Sequence, residues 1–470
     1  MAHGIPSAVS GVNNSLDRSA MTPTQTLAQF VVNHREADLA APVKREATRS
    51  LLNWVGCAVG GSRHETVERA IAALGPFSGP REATVLGRSE RLDIMLAALM
   101  NGITSHTFDF DDTHLRTVIH PSGPVASAIL AYSETRRVTG AEFLHAFVLG
   151  VEVSCRIGNA VYPSHYDVGW HITGTTGVFG AAAATGRLLR LDEQQMTWAL
   201  GIAATQASGL REMFGTMCKP FHPGNAARNG LLAALLARTN FTSSNQAIEA
   251  PRGFANVLAT GRRYEEITEH LGSSWEILAN TYKPFACGIV IHPTIDGCVQ
   301  LRNDAGLRPG QITSIELEVH PLVLELTGKK TPRTGLEGKF SVYHSAAVAI
   351  IDGAAGESQY SDDRVRDAVV IRLRDSVHAK VGAGLHEDQA RITIRLDDGR
   401  VLEKYIQHAI GSKARPMSDT ALEAKFRGLT DGVLSNDETD RLIKLCWNIE
   451  MMGDVADLAR AAVPAAAVGA

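Results

Sequence analysis

The sequence predicts a mostly α-helical protein: a large all-helical domain with a smaller α+β domain inserted before its C-terminal helices. Three observations lead there. From about residue 24 to 276, apolar residues recur at three- and four-residue spacing. From about 282 to 411 the period shortens to two around a single helical run, and helical spacing then returns. With 470 residues, the chain is also too long for one comfortable core. The predicted divisions are a flexible tail over 1–23, a first helical part over 24–278, the inserted domain over 279–411, a returning helical part over 412–463 and a tail over 464–470.

The helical runs are LLNWVGCAVGG, IMLAALMNGITSH, FLHAFVLGVEVSCRIGNAV, TGVFGAAAATGRLL, WALGIAATQASGL and AARNGLLAALLA. Several are apolar nearly all round, as in the middle of a large bundle. Gly177, Gly180 and the alanines 181–184 permit close helix approach. These glycines are not a phosphate loop. No GxGxxG follows a strand and no GxxxxGK[ST] occurs, which excludes a nucleotide site of those kinds. In the inserted domain, Ile315, Leu317 and Val319 alternate with polar residues and predict a strand. Val369, Ile371 and Leu373 predict a second, and Ile392, Ile394 and Leu396 a third. Asp398-Gly399 and Val401 follow, the signature of a hairpin. FSVYHSAAVAIIDG reads as a helix between them. After SKARP, helices are predicted over 419–426, 437–451 and 455–462. No solenoid-like repeat is present.

Composition narrows the function. Lysines and arginines number 46 against 50 acidic residues, leaving a formal net charge of −4 and no global field for nucleic acid. Aromatics make up only 6%, too sparse for base-stacking platforms. Six cysteines, Cys57, Cys155, Cys218, Cys287, Cys298 and Cys446, are scattered without a CxxC, which suits buried thiols in a reducing compartment. The first 21 residues have no basic and apolar regions of a signal peptide, and no apolar run spans a bilayer. A cytoplasmic protein without membrane or nucleic-acid partners is expected.

The chemistry concentrates in four places. Residues 101–124 pack His106, His114, His120, Asp109, Asp111, Asp112 and four threonines between apolar runs. Carboxylates beside imidazoles move protons near neutral pH. DDTH also has the composition of a helix N-cap or a solvated loop. Zinc through His106, His114 and His120 fits by count, but their spacing matches no compact ligand set. Gly169-Trp170-His171, followed by Thr173, Thr175 and Thr176, opens a Gly/Ala helix and offers an anion site or a core histidine. In GTMCKPFHPGNAARNG, Lys219 lies near His222 just before an apolar helix, off any solvated helix face. Arg228, within that helix, is expected to make a structural ion pair. Tyr282, Lys283 and His292, with Lys329, Lys330, Arg333, Lys339 and His344, straddle the domain change and suggest a cleft for a small polyanion. GxSxG is absent.

Taken together, DFDDTH with IHPSGPV, GWHITGTTGVFGA, GTMCKPFHPGNAARNG, YKPFACGIVIHP and LEGKFSVYHSAAVA resemble, in order, the MmgE/PrpD family. The resemblance runs from about residue 26 to 457. That family includes 2-methylcitrate dehydratases, cis-aconitate decarboxylases and iminodisuccinate epimerases. It implies a helical domain with an α+β lid domain, a homodimer, no metal, no organic cofactor and a small polycarboxylate substrate bound between the domains. Carried over motif by motif, it implies site positions at Asp109, Thr113, His120, His171, Lys219 and Lys283. His292, Arg333 and His344 join them as substrate-binding expectations from the domain junction. His344 stands where the family's decarboxylases carry a tyrosine, with Tyr343 one place earlier. The GTM-x-KP-x-H pattern is nearest the epimerase branch. The expected function is a cofactor-independent lyase, by dehydration or decarboxylation next to a carboxylate. An epimerase or isomerase of an imino- or hydroxy-dicarboxylate and a non-catalytic anion binder are the alternatives. Lys219, Lys283 and His120 are expected to hold carboxylates, Thr113 to add a hydrogen bond, and His171 and Asp109 to exchange protons.

Overall fold

The computed structural model describes residues 21–465. Most of each predicted tail therefore lies outside the described residues. The first helix, Pro23–Asn33, begins at a capping box made by Thr22 and Gln25. Helices Ala41–Gly61, Ile94–His106, Ser122–Ser133, Gly140–Val161, Ile172–Leu188, Glu193–Ala204 and Cys218–Arg238 then build the first core. Helices Asp419–Thr430, Asn436–Trp447 and Ala456–Ala461 return to that same core through Phe426, Leu442 and Leu458. No helix among the described residues is long and apolar enough to cross a membrane.

Glycine sets the helix spacing here. Ile172–Leu188 is the central helix, packed between Gly140–Val161 and Cys218–Arg238. A Cβ on Gly180 would lie 2.6 Å from the Gly150 carbonyl oxygen. Likewise, a Cβ on Gly102 would lie 2.4 Å from Gly224 Cα, so Ile94–His106 and Cys218–Arg238 touch backbone to backbone. That second crossing matters for chemistry. It brings His106, at the end of one helix, to Lys219, at the start of the other.

A second core belongs to the α+β part. Its four-stranded sheet runs in the order Val377–Val381, Ile312–Val319, Ala390–Leu396, Val401–Ile406, with the first pair parallel and the others antiparallel. Ile315, Leu317 and Val319 face inward beside Ile392, Ile394 and Leu396, as their alternation dictates. Helices His292–Ala305 and Val342–Asp352 belong to the same core. The Asp398-Gly399 hairpin is present, with Gly399 at φ 87°. The strand expected at Val369, Ile371 and Leu373 is instead the helix Ala368–Asp375. Asp367 caps it, and Val370, Leu373 and Arg374 make a buried face at helical spacing while Val369 is exposed. Five consecutive residues, VVIRL, satisfy either period, and the cap decides between them. The sheet's second pairing partner lies just beyond, at Val377–Val381.

Two smaller corrections concern side chains. Five cysteines are buried, but Cys218 is exposed. Arg228 makes no ion pair among the described residues; it donates to Asn225 Oδ1 at 2.7 Å and Asn229 Oδ1 at 3.3 Å.

Several histidines are buried and neutral. Burial pulls His165 and His344 down to about 4, and His145 and His292 down to about 3. The unfolded chain protonates these groups near pH ~6.5. Below that pH the unfolded chain binds more protons than the folded one, so acid removes stability.

Two outcomes are expected. Gly102→Ala should lower stability by about 1–3 kcal/mol, because a methyl must push two backbones apart; chemical denaturation measures it. The melting temperature should hold between pH 7 and 8 and fall steadily from pH 6.5 towards 4, as scanning calorimetry across that window would show.

Candidate active site

A short buried ladder assembles the site. DDTH is neither a solvated loop nor a helix cap: Asp112–His114 is a buried strand paired antiparallel with Asn280–Tyr282. Asp112 stands opposite Tyr282, so Lys283, the next residue, arrives beside the turn at Asp109. That turn follows the Ile94–His106 helix. Asp109 takes a left-handed conformation, φ 51°, which aspartate tolerates better than most residues. The reversal puts His106, Asp109 and Asp111 on one side.

Asp109 is the hub. Its Oδ1 accepts from Lys219 Nζ and from Lys283 Nζ, both at 2.8 Å. Lys283 also donates to the Asp109 carbonyl at 2.9 Å. All three side chains are buried. Burial opposes the charge on Asp109, but the two lysines outweigh it and hold its carboxyl well below the usual carboxylate range. Burial pulls Lys219 below its ordinary value, against the attraction of Asp109.

Four histidines surround this pair. Lys219 Nζ also donates to His106 Nε2 at 2.8 Å, so His106 carries its proton on Nδ1 and gives it to Asp111 Oδ2 at 2.8 Å. Burial keeps His106 neutral, at about 4. His120 Nδ1 lies 2.8 Å from the Asp112 carbonyl and donates to it, which leaves Nε2 3.9 Å from Asp109. His171 is the N-cap residue of Ile172–Leu188, as its sequence position implied. Burial, then the Lys219 charge, holds it well below its ordinary value. Its Nδ1 lies 2.9 Å from His222 Nδ1. Beneath these groups, Asp112 accepts from Ser122 and Asn280. Burial, then Asp111, pushes its carboxyl up to about 6.

The small cavity at this cluster, about 40 Å³, is lined by Asp109, His120, His171, Lys219, Lys283 and Tyr166 from the helical core. Ile289, Thr327 and Phe340 close it from the α+β side. Such a volume holds a water or two. A neighbouring cavity of about 340 Å³ shares Val118, Ile289 and Val290 with it and is the larger space beside the site.

Not every predicted residue comes here. Thr113 is buried on the strand, with Oγ1 3.5 Å from His120 Nδ1, and supports that ring rather than lining the cavity. His292 lines the larger neighbouring cavity. Arg333 is exposed, and its backbone N–H donates to Glu337. His344 Nε2 donates to the Gln359 carbonyl at 2.8 Å. Neither lines the small cavity, and Tyr343 does not either. Tyr166 is the tyrosine that does. His114 points elsewhere, to Glu276 at 2.9 Å, so the three-histidine set considered for zinc does not form. The donors that do converge, within 4.8 Å, are His106, Asp109, Asp111 and His120. Two lysine ammoniums already supply the positive charge there.

Sequence reasoning missed the roles of Lys425, His222 and Tyr166. Lys425 Nζ joins the Asn53 side chain to the carbonyl oxygens of Phe110 and Lys283, at 2.5–2.9 Å, and so ties the returning helix to both halves of the site. His222 had a signal: it follows Lys219 by three residues, on one helix face.

The MmgE/PrpD N-terminal domain family matches residues 25–267, and the MmgE/PrpD C-terminal domain family matches residues 285–449. A cis-aconitate decarboxylase of Aspergillus terreus is 27% identical over 466 residues, 93% of this chain and 94% of that one. A human cis-aconitate decarboxylase is 26% identical over 450 residues, 92% of each chain. A cis-aconitate decarboxylase-like protein, oryM, of Aspergillus oryzae is 27% identical over 466 residues, 93% of this chain and 96% of that one. With both domain families matched in order over most of its length, the chain belongs to the MmgE/PrpD family.

Proposed function

We propose that this protein is a lyase that removes carbon dioxide from a small tricarboxylate of the cis-aconitate type. One observation carries the reading: two buried lysines converge on Asp109 at a cavity that His120 and His171 also line. The decarboxylase names of its relatives support it. They lend no support to the epimerase alternative, which is not carried forward.

The chemistry follows from charge. The bond between carbon and a carboxylate breaks, carbon dioxide leaves, and the electron pair spreads into the adjacent C=C and its remaining carboxylate. Lys219 and Lys283 hold the carboxylates and stabilise the developing anion. Point-charge ammoniums suit a substrate with several carboxylates. Asp109 is locked as an anion by the two lysines, which makes it a charge partner and a poor proton donor. That leaves His171 to give a proton to carbon. His171 is neutral at rest, and the arriving negative charge favours its protonated form. The cavity is too small for such a substrate, so the α+β side must open to admit it. Work without a metal or organic cofactor, and as a homodimer, belongs to the same proposal.

Proton NMR of the purified protein with cis-aconitate in D₂O tests this reading. Loss of the substrate vinyl signal and growth of a methylene pair are expected. His171→Asn and Lys219→Met should each lower kcat by about 10²–10⁴-fold. Unchanged turnover in both variants would sink the assignment. Citrate and 2-methylcitrate in the same panel test the hydro-lyase alternative, where a new vinyl signal appears instead.

A further inference from the structure

Behind His171 lies a second imidazole that the chemistry above does not use. His222 Nδ1 is 2.9 Å from His171 Nδ1, so the two rings share one proton, one as donor and the other as acceptor. His222 Nε2 faces the other way, 4.0 Å from Cys218 Sγ. Cys218 is the only exposed cysteine of the six. Cys218 and His222 are four residues apart on one helix and share a face. A line of exchangeable groups therefore runs from the cavity, through His171 and His222, to the surface.

The pairing is built into the backbone. The His171 N–H donates to the Gly209 carbonyl at 2.9 Å. Gly209 has φ 127°, and a Cβ there would lie 3.2 Å from His222 Nδ1. A Cβ on Gly174 would lie 3.2 Å from His222 Cβ and 2.5 Å from the Ser208 carbonyl oxygen. Glycine at both places makes room for the second ring. Pro223 leaves the Lys219 carbonyl without its helical donor, which loosens the turn carrying Lys219 and His222.

Each decarboxylation consumes one proton, because the electron pair left behind by the departing carbon dioxide must form a C–H bond on the remaining carbon frame. The line through His222 gives that proton a route that does not cross the substrate. We propose that His222 relays it from solvent to His171, as a positioning residue acting through His171. This rests on the decarboxylase reading. His222 Nε2 takes a proton at the Cys218 end, His222 Nδ1–H passes its proton to His171 Nδ1, and His171 Nε2–H gives its proton to carbon. One proton enters and one C–H bond forms without a redox partner, and both rings, left as the other tautomer, turn back to the starting one before the next turnover. The groups facing His222 are His171, Lys219 and Cys218.

His222→Asn tests the relay, since an amide keeps a hydrogen bond to His171 but passes no proton. It should lower kcat roughly tenfold or more, leave KM unchanged, and regain rate as imidazole is added to the assay. Wild-type turnover should not respond to imidazole. A variant with wild-type kcat would overturn the relay, as would one with the wild-type melting temperature whose lost rate imidazole does not restore. His222→Gln repeats the comparison should the asparagine variant melt early. A long-range proton–nitrogen spectrum of the ¹⁵N-histidine-labelled wild type is independent of substrate. It should show the proton shared by His171 and His222, and its absence would overturn the pair. Wild-type inactivity towards cis-aconitate, with that shared proton present, would instead overturn the decarboxylase reading and leave the built pair standing.

Discussion

The bond of Asp109 to two buried lysines is the interaction on which the rest of the site depends. Its ammonium partners come from distant parts of the chain: Lys219 opens a helix of the first core, and Lys283 follows the strand that leads into the second. One carboxylate oxygen holds both at 2.8 Å. Without it, two like charges would face each other in a medium of low dielectric, where their repulsion far exceeds its value in water. Removing one member of such a buried set costs several kcal/mol, because the others stay charged and unpaired. Asp109 is thus a structural clamp before it is anything else, and its left-handed backbone is part of the same arrangement.

That clamp also explains how a protein keeps cations ready for a polyanion. Free lysines in a closed cavity would lose their protons to desolvation. The Asp109 anion favours the charged form of Lys219 against that desolvation. A substrate carboxylate then adds to a pair already oriented, with little side-chain entropy left to lose. His106 extends the same logic. Its Nδ1–H is committed to Asp111, so its Nε2 can only accept, and it steers Lys219 without adding charge. Burial, and then the Lys219 charge, keeps His171 neutral beside it, while the lysines hold Asp109 as an anion.

Much of this was legible in the sequence, and the limits are physical. Helical spacing gave the first core, and alternation gave the strands at Ile315 and Ile392. Alternation failed at Val369, because a run of apolar residues fits either period and only the Asp367 cap distinguishes them. Asp109, His120, His171, Lys219 and Lys283 came together as the motif resemblance implied, each on a segment whose charge contradicted its apolar setting. Arg333 and His344 did not reach the cavity, since nearness in sequence to a domain junction says nothing of where a side chain points. DDTH fits a solvated loop or a helix cap as readily as a buried site, because its partner strand lies some 170 residues away and no local pattern announces a two-strand ladder of three residues. Lys425 was invisible for the same reason: its acceptors are backbone carbonyls, which carry no sequence signature.

The resting state of His171 bears on the proposed proton transfer. A histidine held neutral by burial and a neighbouring ammonium is a poor acid in the empty site. Bringing in several carboxylates reverses the sign of the local field, and the same ring then gains a proton. In the proposed reaction the acid is armed by its substrate. Such a device prevents a charged imidazolium from repelling the lysines before binding, and it couples proton uptake to occupancy. In the proposed reaction the proton that His171 gives up must be replaced from solvent after each turnover. The atoms that face His171 away from the substrate therefore matter as much as those that face it, and the nearest of them is His222 Nδ1.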